Sequence, residues 1–276
     1  MYKLKKQFPL EKLDWIGLSI NPHAVPLLKQ NEDKISWLEF SLNPSPEAID
    51  FLQENPDKIV WAFFCENPNA IPLLIKNPDK IVWAHFSRNP NAMPLLKQNP
   101  DKINRIYLSL NPDSEAIIFL TENPDKIIWN NLSSNPNGVP LLKQNPDKIF
   151  WPYLSFNPHP EAIDLLKENP NKIHWESLSS NPHPGAIDLL KQNPEKISWR
   201  YLSLNPNPEA IDLLIENPDK IYWEYLSENP GIFEYDYEFL KERMRPLSEE
   251  IMMNVFHPSK YKNFTNLGFD GWIEDF

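Results

Sequence analysis

Apolar residues come in short bursts along this chain, and almost every burst ends at an Asn-Pro step. Asn-Pro recurs from Asn21 to Asn229, with Asn31-Glu32 filling one slot in degenerate form, and successive slots lie 10 or 12 residues apart. Two half-repeats alternate. One reads N-P-D-K-I-x-W-x-x-L-S-x. The other reads N-P-x-A-I-P-L-L-K-Q or, in a longer form, N-P-x-P-E-A-I-D-L-L-K-E. A tryptophan slot recurs at Trp15, Trp37, Trp61, Trp83, Arg105, Trp129, Trp151, Trp175, Trp199 and Trp223, every 22 or 24 residues, and loses its ring only at Arg105.

This pattern predicts one short helix per half-repeat. Asn is a favoured N-cap, and proline fits the first helical position because its missing N–H had no intrahelical partner. The next Asn-Pro ends the helix, since a residue before proline avoids the α region. About seven to nine helical residues remain, too few to persist alone, so packing between halves must hold them. The second proline of the short form (Pro26, Pro72, Pro94, Pro140) predicts a half that is partly 3-10 or starts late. Trp and the Leu three residues on share a helix face, and the Ile two residues before Trp falls on the opposite side. The fold class is all-α: an αα or α/3-10 solenoid of about ten 22/24-residue repeats. If stacked like ordinary helix pairs, the repeats make a rod on the order of 90 Å long.

Three segments follow. Residues 1–20 read as a degenerate capping repeat, with Trp15, Leu18 and Ser19 in register but no Asn-Pro before them. Residues 21–230 are the solenoid array, and residues 231–276 read as a C-terminal helical cap. That last segment has helices over Phe233–Met244, Leu247–Phe256 and Pro258–Leu267, with a stop at Gly268. A docking element using Phe264, Phe269 and Trp272 is the alternative.

Composition narrows the choices. Thirty prolines against six glycines, in a chain 41% hydrophobic, suggest either disorder or regularly placed proline, and ten tryptophans argue for the second. The net charge of −11 lacks the basic excess that phosphate contacts demand. It favours a neutral or basic protein partner. Cys65 is the single cysteine, so an intrachain disulfide is excluded. No secretory leader and no run of about 18 apolar residues is read, so neither export nor a membrane span is expected.

The run I-x-W-x-x-L-S-x-N-P-x-A-I-x-L-L-x-x-N-P-D-K, repeated from Leu13 to Pro230, resembles a short repeat of giant double-stranded DNA virus proteins, the mimivirus and chlorella virus type. The segment from Phe256, F-H-P-S-K-Y-K-N-F-T-N-L-G-F-D, looks like the end of such proteins. The resemblance implies a viral protein in the host cytoplasm or the virion, and it carries no catalytic residues over. A weaker likeness, to leucine-rich variant repeats, concerns architecture alone.

Candidate chemistry is sparse. Neither a phosphate loop nor a hydrolase or zinc-protease motif occurs, so no enzyme, cofactor, metal or small-molecule substrate is expected. His23, His159 and His183 share one slot but lack a third ligand, and His257 lacks a partner. Asp-Lys pairs such as Asp57-Lys58 read as a solvated rim. The Ser slot, which accepts Cys65, calls for a small buried side chain. Recognition should lie in variable slots. The one two residues after Trp is rich in rings, and Phe63, Tyr153, Tyr201 and Tyr225 are the candidate protein-binding row. The plainer reading is that these rings fill the groove between adjacent coils. The expected function is a scaffold or adaptor for a viral or host protein. The alternatives are a structural part of a virus particle and a helical-repeat reader of nucleic acid.

Overall fold

A computed structural model describes residues 2–255. It divides into a large unit, Leu4–Phe233, and a small one, Met1–Lys3 with Glu234–Phe276.

The large unit is the expected helical repeat array. The repeat that begins at Trp151 shows its anatomy: a Trp helix (Trp151–Phe156), a second helix (Pro160–Glu168) and a 3-10 turn (Pro170–Lys172). The Trp half is therefore not one helix. Its Pro-Asp-Lys forms the 3-10 turn, the next two residues are extended, and the α-helix starts at Trp. Hence Ile149 and Trp151 do not share a helix, contrary to the expectation from spacing. The Trp helices run only four to six residues. The residue three after Trp is the core: Leu18, Phe40, Phe64, Phe86, Leu108, Leu132, Leu154, Leu178, Leu202 and Leu226 are all 0% exposed. The tryptophans of the repeats are only half-buried. In the short form the second helix does start late, at Val25, Ile71, Met93 and Val139, which leaves its proline in the first turn where no N–H is needed.

The two classes of Asn-Pro asparagine do different work, and neither is the simple α-helix N-cap the sequence suggested. Before each 3-10 turn, the amide of Asn31, Asn55, Asn77, Asn99, Asn123, Asn145, Asn169, Asn193 or Asn217 donates back to the carbonyl four residues earlier, at 2.8–3.0 Å. It satisfies the end of the preceding helix. After each Trp helix, the asparagine is buried, and its Nδ2 donates to two backbone carbonyls of the previous repeat, at 2.6–3.2 Å. Its Oδ1 accepts the N–H two residues on, as at His159 and Asn157 (3.0 Å). In the long form, that next residue is the true N-cap: Ser45, Asp113, His159, His183 and Asn207.

A second ladder runs beside the first. Each slot serine donates its hydroxyl to the carbonyl four residues back, at 2.6–2.9 Å. It also accepts the backbone N–H just before the next Trp slot, at 2.7–3.1 Å. Cys65 keeps the acceptor role, with the Val82 N–H at 3.3 Å. Among the described residues every buried side-chain nitrogen or oxygen has a partner, as a dry interior requires.

Both ladders close. Ser227 of the tenth repeat accepts the N–H of Asp14 in the first, at 2.7 Å. Asn21 donates to Ser227 O and Asn229 O, both at 3.0 Å. Lys12 lies over Trp223 just as Lys34 lies over Trp15 and Lys220 over Trp199. The repeat unit is thus a ring and not the expected rod, and its first repeat packs on a neighbour at both faces where a cap with one watery face was expected. Gly17 makes the closure possible. A Cβ there would lie 2.9 Å from Ser227 Cβ and 3.0 Å from the Glu224 carbonyl oxygen.

In the small unit, Tyr2 stacks on Tyr235 at 4.6 Å and Lys3 pairs with Asp236. Strands Tyr2–Leu4 and Phe233–Tyr235 pair with each other. One helix, Tyr237–Val255, with Pro246 inside it, replaces the two expected over 233–256. The expected third helix, Gly268, His257, Phe264, Phe269 and Trp272 lie outside the described residues.

Candidate functional site

The Trp helices form the inner wall of the ring. They pack directly on one another, whereas adjacent second helices are bridged by long side chains, as in Lys97–Glu115 at 3.0 Å and Lys143–Glu161 at 2.5 Å. Being short, each Trp helix turns one narrow face outward from the core, carrying the residues two and five places after Trp. These positions lie on the same helix side. A cavity of about 400 Å³ touches those positions in five consecutive repeats: Leu110, then Asn131 and Ser134, Tyr153 and Phe156, Ser177 and Ser180, Tyr201 and Leu204. His174 and Glu176 complete its lining. A cavity that reaches equivalent side chains of five successive repeats lies on the concave side. Ten helices at the usual interaxial distance of about 8–10 Å describe a circle that leaves a lumen on the order of 15 Å across.

Of the four candidate rings, the cavity brings together Tyr153 and Tyr201. Tyr153 is 44% exposed, and Tyr201 is half-buried. Phe63 and Tyr225 occupy the same row in other repeats and are half-buried. Phe63 approaches His85 at 5.6 Å, and His85 approaches Tyr107 at 5.2 Å. Tyr201 meets Tyr225 edge-on at 6.3 Å, with the Arg200 guanidinium 4.6 Å from the Tyr225 ring and bonded to its hydroxyl. The rings therefore do lean across the grooves between coils, while each keeps a wet face. Sequence reasoning missed the row five places after Trp, which supplies Leu110, Phe156 (47% exposed) and Leu204. The signal was available, because this slot varies as freely as its neighbour three residues earlier.

Charges are unevenly placed. Glu66 takes both His85 (2.5 Å) and Arg88 (2.9 Å). Where the tenth repeat meets the first, partial burial pushes the Glu228 carboxyl above its ordinary range, and Glu224, Asp14 and Glu39 add to the shift. The Asp-Lys pairs sit on the rim, exposed, at 3.1–3.4 Å. Burial pushes the Cys65 thiol up, although the Val82 N–H opposes this, so its nucleophilic form is disfavoured. His159 and His183 are committed as N-caps. Among the described residues no group of His, Cys, Asp and Glu is arranged to hold a metal, and no helix is long and apolar enough to cross a membrane.

No protein-family model, curated protein or solved structure matches the chain.

Proposed function

We propose that this protein is a non-catalytic scaffold that holds a segment of another protein against the inner face of its ring. The observation that carries the reading is the concave cavity over five repeats. Its wall is built from variable slots, while the constant slots are consumed by the two ladders. Partly exposed aromatic and aliphatic side chains on a rigid, concave frame suit recognition of a protein segment. The lysines suit nucleic acid less well, since most of those on the rim have an aspartate beside them and several lie over tryptophan rings. The resemblance of the repeat to giant-virus proteins supports a viral setting, in the infected cell or in a particle.

The test is a random twelve-residue peptide library displayed on phage and panned on the full chain, followed by Tyr153→Ala with Tyr201→Ala. Enriched peptides whose affinity falls about tenfold in the double variant, a loss of about 1.4 kcal/mol, with an unchanged melting temperature, support the reading. Retained affinity with a lowered melting temperature overturns it and leaves the rings as groove filling.

A further inference from the structure

We infer that the segment held in the lumen is cationic and amphipathic, with its apolar side chains on repeats five to nine and its Lys or Arg side chains toward the opposite arc. This rests on the scaffold reading above and names its partner class. The observation is a segregation of charge. No lysine occupies the slots one, two or five places after Trp in any of the ten repeats, although the chain is lysine-rich elsewhere. Those same slots hold Glu39, Glu224 and Glu228 in repeats two and ten and Glu176 on the cavity wall, while Glu66 and Arg88 engage each other and Arg200 is engaged by Tyr225.

Ring geometry sets the two arcs face to face. In a closed ring of ten, the seventh repeat, with Tyr153 and Phe156, stands opposite the second, with Glu39. Glu224 and Glu228 stand two repeats from that second one, in repeat ten. A bound chain thus meets the rings and aliphatic side chains of the cavity, with Glu176 among them, on one side, and Glu39, Glu224 and Glu228, with Ile20 and Leu42 beside them, on the other. An extended strand alternates its side chains between two faces, so alternating apolar and basic residues match both arcs together. The molecule already shows such a contact on itself, where the Arg200 guanidinium lies 4.6 Å from the Tyr225 ring centroid. Phosphates would face the same carboxylates and be repelled.

The experiment is fluorescence anisotropy on the full chain with three labelled probes: a twelve-residue peptide of alternating Lys and Leu, its Glu-Leu counterpart, and a single-stranded twelve-nucleotide DNA. The expected result is binding of the Lys-Leu peptide about tenfold or more tighter than the Glu-Leu peptide, weakening as salt is raised. Glu39→Gln with Glu228→Gln should weaken it severalfold at an unchanged or higher melting temperature, and Tyr153→Ala should weaken it too. If both peptides bind equally and only Tyr153→Ala matters, the cationic inference falls and the scaffold reading stands. Binding of neither peptide overturns both, and preference for the DNA replaces both with a nucleic-acid reader.

Discussion

Asn157 and Asn145 each precede a proline, and their sequence surroundings do not rank them. The structure separates them sharply. Asn157 is 0% exposed and makes three bonds: Nδ2 to Ser133 O (3.0 Å) and Asn135 O (2.9 Å), and Oδ1 from the His159 N–H (3.0 Å). Asn157→Ala leaves Ser133 O and the His159 N–H without partners, whereas Asn135 O still accepts the Gly138 N–H at 3.0 Å. Each orphaned group costs about 1–3 kcal/mol, so the variant should lose roughly 2–6 kcal/mol. That is a large share of the roughly 5–15 kcal/mol that holds a typical domain folded. Asn145 is partly exposed and donates once, to Leu141 O at 2.9 Å. Water can replace that bond, so Asn145→Ala should cost only about 0.5–1.5 kcal/mol. Urea unfolding followed by tryptophan fluorescence measures both, with the slope checked to ensure that the transition keeps its cooperativity. Equal losses in the two variants would refute the ladder as the main tie between repeats.

Three further outcomes follow from the same geometry. Gly17→Val should force the Trp223–Glu228 helix away, at a cost of about 1–3 kcal/mol, and should speed amide exchange at Asp14 while leaving its counterpart Val60 protected. Unchanged protection at Asp14 would count against the closure. Glu228 has a raised folded-state pKa, so its unfavourable contribution is absent below the ordinary glutamate pKa of about 4.3 and grows as pH rises through the folded value. Glu228→Gln should therefore match the parent in acid and exceed its melting temperature at neutral pH, and a constant offset between the two would contradict this. Cys65→Ser should keep or raise the melting temperature, because serine fills that slot in every other repeat. Cys65→Ala should lower it, at a cost in stability of about 1–3 kcal/mol for an orphaned Val82 N–H.

Much of the architecture was legible in the chain. The period, the helical class, the small buried Ser slot and the late start forced by Pro26 and its equivalents all follow from spacing and backbone chemistry. The internal boundaries were not, because Asn-Pro-Asp-Lys suits a 3-10 turn as well as a helix start, and only the extended residues after it decide. Closure was missed for a different reason. Curvature accumulates from small rotations between repeats, which no single position encodes. Yet the first repeat keeps Ser19 and Asn21 although its Asn-Pro is lost, and Asn21 would have no carbonyls to bond in an open array. Gly17, in a slot elsewhere filled by rings and polar side chains, was the second sign. For the binding face, the ring-rich slot two places after Trp pointed to Tyr153 and Tyr201, but its partner row needed the packed geometry to show that both slots share the concave side.

Ring closure is the claim on which the lumen, the opposed arcs and the binding face all depend. Spin labels placed by Ile16→Cys and Glu224→Cys, in the Cys65→Ser background, read it directly. Both positions are exposed, on the first and the last Trp helix. Adjacent helices lie about 10 Å apart, so a closed ring should give a label separation under about 20 Å. A separation of several tens of ångströms, toward the roughly 90 Å of an open stack, would contradict it.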